Sequence, residues 1–91
     1  MIQSFRHKGP KTLFEMGRSA KIDVRLHVRC LIRLDAIDQA AEVEDINIPG
    51  FDFHKLQGTP VRYSVHVNGP WCITFEFEEG DAFRLDFENY H

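Results

Sequence analysis

The sequence predicts an α+β domain, with helices in its first half and an antiparallel meander in its second. Two changes of pattern carry that reading. Apolar residues recur at helical spacing from about residue 10 to 41, and the period changes to two after Asn47-Ile48-Pro49-Gly50. Size supplies a third observation. The 91 residues, 43% hydrophobic and 27% charged, suffice for one small core, and no repeat, low-complexity tract or linker divides them. Residues 1–91 are therefore read as a single domain.

In chain order, Ile2-Gln3-Ser4-Phe5 alternates apolar and polar and reads as a short strand. Gly9-Pro10 opens a helix in which Leu13, Phe14 and Met16 can face a core, and Gly17 lies where such a helix ends. Asp23 is an N-cap for a long second helix from Val24 to about Ala41, with Leu26, Cys30, Leu34, Ile37 and Ala41 as its apolar stripe. Arg25, Arg29 and Arg33 recur every four residues and line one side of it. In the second half Phe51 and Phe53 lead into His54-Lys55-Leu56, and Gly58-Thr59-Pro60 turns. Tyr63, Val65 and Val67 alternate with Ser64 and His66, a half-buried strand, and Asn68-Gly69-Pro70 makes a hairpin. The strongest strand sets Trp71, Ile73, Phe75 and Phe77 against Cys72, Thr74, Glu76 and Glu78. After Glu79-Gly80-Asp81 the chain alternates again, with Phe83, Leu85 and Phe87 on one face. The expected core is Leu13, Phe14, Leu26, Leu34, Ile37, Val65, Trp71, Ile73, Phe75, Phe83 and Leu85.

Several function classes drop out. No apolar run approaches the ~20 residues needed to cross a bilayer. The start of the chain, with Arg6, Lys8 and Lys11, lacks a secretory apolar stretch, which points to the cytoplasm. Cys30 and Cys72 have no metal or redox spacing and read as reduced thiols, so neither a metal nor another cofactor is expected. Charge is segregated. Residues 1–33 hold eight cations against Glu15 and Asp23, a net of +6; residues 34–91 hold Lys55, Arg62 and Arg84 against twelve acids, a net of −9. A basic third suits a phosphate-facing surface, and it equally suits a solvated helix face paired with the acidic remainder.

Five histidines are many for 91 residues. His7, His27 and His66 read as surface residues, and no His/Cys/Asp/Glu set has zinc spacing. His54 opens the meander and His91 ends its last strand. If those strands are neighbours, both imidazoles face one cleft with Tyr90 beside them, a pair able to act as base and acid in one turnover. RNA cleavage needs such a pair, because the 2′-hydroxyl loses a proton on attack and the 5′-oxygen gains one on leaving. A cation must also meet the charge growing on the phosphate oxygens.

Three segments together, Leu85-Asp86-Phe87-Glu88-Asn89-Tyr90-His91, Asn68-Gly69-Pro70-Trp71-Cys72-Ile73-Thr74-Phe75 and Met1-Ile2-Gln3-Ser4-Phe5-Arg6-His7-Lys8-Gly9, resemble the HigB branch of the RelE/ParE toxins. The resemblance spans essentially the whole chain. It implies a RelE/ParE-like fold: an N-terminal strand and two helices packed on a three-to-four-stranded antiparallel meander. It further implies the toxin of a type II toxin–antitoxin pair, a ribosome-dependent endoribonuclease cutting mRNA with His54, Tyr90 and His91 as catalytic residues. Its partners would be mRNA on the ribosome and a HigA-like helix-turn-helix antitoxin, without a membrane. On that reading Lys8, Lys11, Arg25, Arg29 and Arg33 contact ribosomal or messenger RNA.

Some positions depart from the family pattern. Trp71 is followed by Cys72 where these toxins usually carry an arginine, the expected phosphate clamp, and a thiol has neither its charge nor its paired donors. Gln57 stands where a lysine is usual, Lys55 where a proline is, Pro70 where an asparagine often is, and Asn89 in place of an aspartate. Lys55, Arg62 and Arg84 are the cations able to compensate. An impaired nuclease therefore stands beside a second reading, a catalytically weak binding module that docks an antitoxin or ribosome. Gyrase inhibition, as in ParE-like relatives, fits the terminal Tyr-His less well.

Overall fold

A computed structural model of the chain describes residues 1–89. Helix α1 spans Lys8–Met16 and α2 spans His27–Gln39, and a four-stranded antiparallel sheet follows in the order β1-β2-β3-β4. The strands are β1 (His54–Lys55), β2 (Tyr63–Asn68), β3 (Trp71–Glu78) and β4 (Asp81–Asn89).

The helix ends follow from local chemistry. His7 caps α1 by accepting from the Gly9 amide at 2.8 Å. A Cβ on Gly9 would lie 2.8 Å from that imidazole, so the cap requires glycine here. Gly17 ends the helix in the left-handed region, φ 79°, returning its amide to the Leu13 carbonyl. Asp23 accepts from the Arg25 amide and starts a 3₁₀ turn, Val24–Leu26, that runs into α2. The paired Arg25 guanidinium holds the Asp23 carboxyl down to about 2. Helix α2 stops at Gln39, so Ala40 rather than Ala41 completes the buried stripe.

The core lies between the helices and one sheet face. Leu13, Leu34, Ile37, Val65, Val67, Ile73, Phe75 and Leu85 are fully buried there, joined by Ile46 and Phe51 from the connection. Phe14 and Trp71 pack against this cluster while staying half-buried. Two expectations change. The 2–5 segment is not a separate strand; it makes isolated parallel bridges, Ile2 to Ala82 and Phe5 to Leu85, along the outer edge of β4. Phe83 does not join the core. A bulge between Thr74 and Glu76 places Arg84 at φ 49°. The added residue shifts the alternation, so Ala82 and Leu85 face the core and Phe83 pairs opposite Glu76.

The strand connections are short. β2 and β3 join through Gly69-Pro70, with Gly69 at φ 55°, and β3 and β4 through Glu79 and Gly80, both at positive φ. Two successive positive φ values give a turn whose twist matches the strands it joins.

Candidate functional site

Alternation gives the sheet a second face that the helices do not cover. Registers run across it: His54 opposite Ser64, Ser64 opposite Thr74, Thr74 opposite Asp86, and beside that row His66 opposite Cys72 and Cys72 opposite Glu88. Strands are spaced by about 4.8 Å, so these two rows form one polar patch. Its centre is packed rather than open, since Ser64, Thr74 and Cys72 are all buried.

Arg62, just before β2, organises the patch. Its Nη1 donates to Glu76 Oε2 at 3.1 Å, and its Nη2 donates to the Thr74 hydroxyl at 2.9 Å and the Arg84 carbonyl at 3.1 Å. The Thr74 hydroxyl in turn donates to the Glu88 carboxylate. Glu76 also takes the Arg84 guanidinium on its other oxygen at 3.0 Å, and Arg6 reaches Asp86 at 3.9 Å. Arg62 and Glu76 are only 12% and 16% exposed, so this pair is more strongly coupled than a surface ion pair. The three arginines thus face three carboxylates, and the patch has no net charge from them. Beside it lies an open cleft of about 450 Å³ lined by Arg6, Leu56, Gln57, Thr59, Arg62 and Glu88 among others.

His54 is exposed at the end of this face, and its Nδ1 lies 2.9 Å from the Asp52 carbonyl. A carbonyl only accepts, so Nδ1 is the donor in this contact, and in the neutral ring the lone pair is then on Nε2. Gln57 is exposed on the cleft wall. Cys72 is on the polar face as its alternation with Trp71 requires, but 9% exposed and beside His66 and Glu88, not beside His54. Lys55 pairs with Tyr63, whose ring packs on Phe75, so alternation sets Lys55 on the other face from His54 and away from the cleft. Asn89 pairs with Trp71 and likewise alternates away from Glu88. Tyr90 and His91, both expected to be catalytic, lie outside the described residues, and β1, which carries His54, is not a neighbour of β4 as that expectation required: β2 and β3 lie between them.

The basic row on α2 divides. Arg25 and Arg29 are exposed, although Arg25 is paired with Asp23 at 2.7 Å and Arg29 donates to the Val67 carbonyl at 3.2 Å. Both line a pocket of about 350 Å³ with Trp71 and the Asn68-Gly69-Pro70 turn. Arg33 is not a nucleic-acid contact: it is 6% exposed and donates to the carbonyls of His66, Arg29 and Gly50, with its guanidinium 4.6 Å from the Phe51 ring centre. Burial, and then the neighbouring Arg29 charge, lower its pKa from the usual arginine value. Lys8 and Lys11 are exposed on α1.

Two histidines read as surface residues are structural instead. His7 is the α1 cap and meets Phe87 edge-on, and His27 Nε2 lies within 3.0 Å of the Ser19 and Ile22 carbonyls. Among the described residues no His/Cys/Asp/Glu group is arranged to hold a metal, and no helix is long and apolar enough to cross a membrane.

A family profile described as the RelE-like toxin of type II toxin–antitoxin system HigB matches residues 3–91. The chain is 42% identical over 92 residues to Endoribonuclease HigB of Proteus vulgaris, covering 100% of both proteins. The chain belongs to the HigB-like toxin family.

Proposed function

We propose that this HigB-like toxin is an endoribonuclease that cleaves mRNA on the ribosome, at the polar face of its sheet. The observation that carries the reading is the row from His54 to Asp86 with Arg62 at its centre, beside an open cleft. His54 Nε2 is the base that takes the 2′-hydroxyl proton. His91 returns a proton to the leaving 5′-oxygen, with Tyr90 beside it, on the strength of the family resemblance. Arg62 and Arg6 are the cations available to the phosphate. The balance of three arginines by Glu76, Asp86 and Glu88 then weakens that stabilisation, and Cys72 and Gln57 supply no further charge. Slow cleavage is the expected consequence. The toxin works in the cytoplasm and is restrained by a HigA-like helix-turn-helix antitoxin. Tight docking with negligible cleavage is the second reading, and the neutralised patch is what favours it.

The test is a ribosome programmed with a defined message, with cleavage mapped by primer extension. The chain should cut in the presence of ribosomes, and His54→Ala should slow cutting by roughly 10²–10⁴-fold. Equal cutting by both proteins would remove His54 from the chemistry. Absence of cutting with the toxin bound would leave the docking reading.

A further inference from the structure

The bulge in β4 opens a cavity that the proposed reaction does not use. Pro60, Val61, Glu76, Glu78, Phe83 and Arg84, among others, line a pocket of about 410 Å³ where β3 turns into β4. Small-molecule sites occupy roughly 300–1,000 Å³. Phe83 stands opposite Glu76 on the polar face and is half-buried, because the bulge turns it out of the core. Arg84 follows at φ 49°, held there by the edge segment: its amide donates to Ser4 Oγ at 2.9 Å, and the Leu85 amide donates to the Ser4 carbonyl at 3.0 Å. A left-handed φ on a residue with a side chain must be held by its surroundings, and such residues cluster at ligand sites. A cavity, an aromatic ring displaced into it and a held backbone outlier therefore coincide.

The pocket borders the cleft. Pro60 lines both, and the Arg62–Glu76 pair at 3.1 Å joins a cleft residue to a pocket residue. Nη2 of the same guanidinium reaches the Arg84 carbonyl at 3.1 Å, which ties the cleft to the bulge. A message with a phosphate at Arg62 therefore carries an adjoining nucleotide towards Phe83. The lining selects which part of that nucleotide enters. Its carboxylates are Glu76 and Glu78, and its one guanidinium, Arg84, is already on Glu76 at 3.0 Å. A phosphate would be repelled by Glu78. A flat, neutral base instead offers its face to the Phe83 ring and its N–H groups to the carboxylates. Single-stranded RNA is bound in this manner, with bases splayed onto aromatic rings and read at their edges. An ionised carboxylate only accepts, which favours an exocyclic amino group, present on cytosine, adenine and guanine and absent from uracil.

We propose that this pocket is a base subsite of the nuclease, taking an unstacked message base beside the cleaved phosphate and preferring one that carries an exocyclic amino group. Phe83 is the stacking surface, and Glu78 is the specificity-determining residue. The proposal rests on the reading of the polar face as the place of cleavage. Base binding and cleavage can nevertheless be measured separately.

The experiment titrates the isotope-labelled full chain with cytidine 5′-monophosphate, uridine 5′-monophosphate and ribose 5-phosphate, following backbone amide shifts by NMR. The cytidine nucleotide should shift the Glu78, Phe83 and Arg84 amides saturably, and the uridine nucleotide should bind about fivefold or more weakly. Phe83→Leu keeps an apolar side chain without a π face and should weaken the cytidine nucleotide by roughly fivefold or more, whereas Phe83→Tyr should retain it. Glu78 is exposed, so Glu78→Ala should stay folded and should bring the two nucleotides level. Ribosome-dependent cleavage supplies a second readout, with cytosine or uracil placed in turn on either side of the cleaved bond. The parent should favour cytosine at one flank in kcat/KM, and Glu78→Ala should erase that ratio. Unshifted amides, equal affinity for the two nucleotides, or the same shifts from ribose 5-phosphate would overturn the proposal. So would cleavage indifferent to the base at both flanks. Base-selective shifts without any cleavage would keep the pocket as a base site and remove the nuclease reading, so the two failures are distinguishable.

Discussion

Arg33 is the third member of a row that helical spacing places with Arg25 and Arg29, yet it is the one that turns inward. Spacing fixes the side of a helix to within a turn, and a long side chain can leave that side for buried acceptors. The carbonyls of His66 and Gly50 supply them, and the Phe51 ring covers the planar group. Arg33 therefore ties α2 to β2 and to the turn before β1. Replacing it by methionine keeps the apolar stem and leaves the carbonyls without a donor, at a cost of about 1–3 kcal/mol. Urea unfolding monitored by Trp71 fluorescence measures it; no change in midpoint would make the guanidinium a bystander. Burial also raises the neighbouring Cys30 thiol to about 11, partly offset by the Arg33 charge, which suits a thiol that packs and does not react.

At the scale of elements, the strands from Tyr63 to Phe77 were legible because one face is apolar and the other polar, and the observed β2–β3 register keeps that order from Tyr63 to His66 before it shifts to set Asn68 opposite Trp71. The final strand was half legible. Leu85 and Phe87 obey the alternation, while the bulge opposite Thr74 and Glu76 turns Phe83 out. A bulge of one residue leaves no reliable mark in a period-two pattern. The N-terminal segment was misread for a related reason: alternation over four residues marks extended chain, not how many ladder bonds it makes. Phe75 is at the centre of the strand that did read correctly, fully buried, with Tyr63 6.0 Å from its ring centre. Phe75→Ala should cost roughly 3–5 kcal/mol, much of the stability of so small a domain. Thermal denaturation checks this; a variant unfolding near the parent temperature would show that the surrounding rings close the cavity.

For the whole molecule, charge segregation was plain in the sequence but its assignment to surfaces was not. The basic third divides among a buried clasp (Arg33), the cleft beside the polar face (Arg6), the hairpin-side pocket with Arg25 and Arg29, and exposed cations on and after α1 (Lys8, Lys11, Arg18 and Lys21). If the hairpin side meets RNA, Arg25→Gln with Arg29→Gln weakens ribosome association and reduces the slope of its logarithm against the logarithm of salt by about one unit or more. Filter binding over a salt series decides it, and an unaltered slope would return both residues to solvation. The candidate site itself was visible only in fragments. His54, Cys72 and Glu88 are far apart in sequence, and only the register of β1 to β4 brings them onto one face. The pairing of Arg62 and Arg84 through Glu76 has no local signature at all.

That pairing is also what sets the expected rate, because a cation already held by a carboxylate gives less to a phosphate. The most direct test is single-turnover cleavage of a ribosome-bound message by the chain and by Cys72→Arg. The new guanidinium would enter the polar face between His66 and Glu88, extending past the buried Cβ towards solvent. If the polar face is the catalytic site and lacks positive charge, cleavage rises by roughly 10²–10³-fold with ribosome affinity little altered. A folded, ribosome-bound Cys72→Arg protein that cuts no faster would contradict the account and leave a toxin fold that binds without cutting at this face.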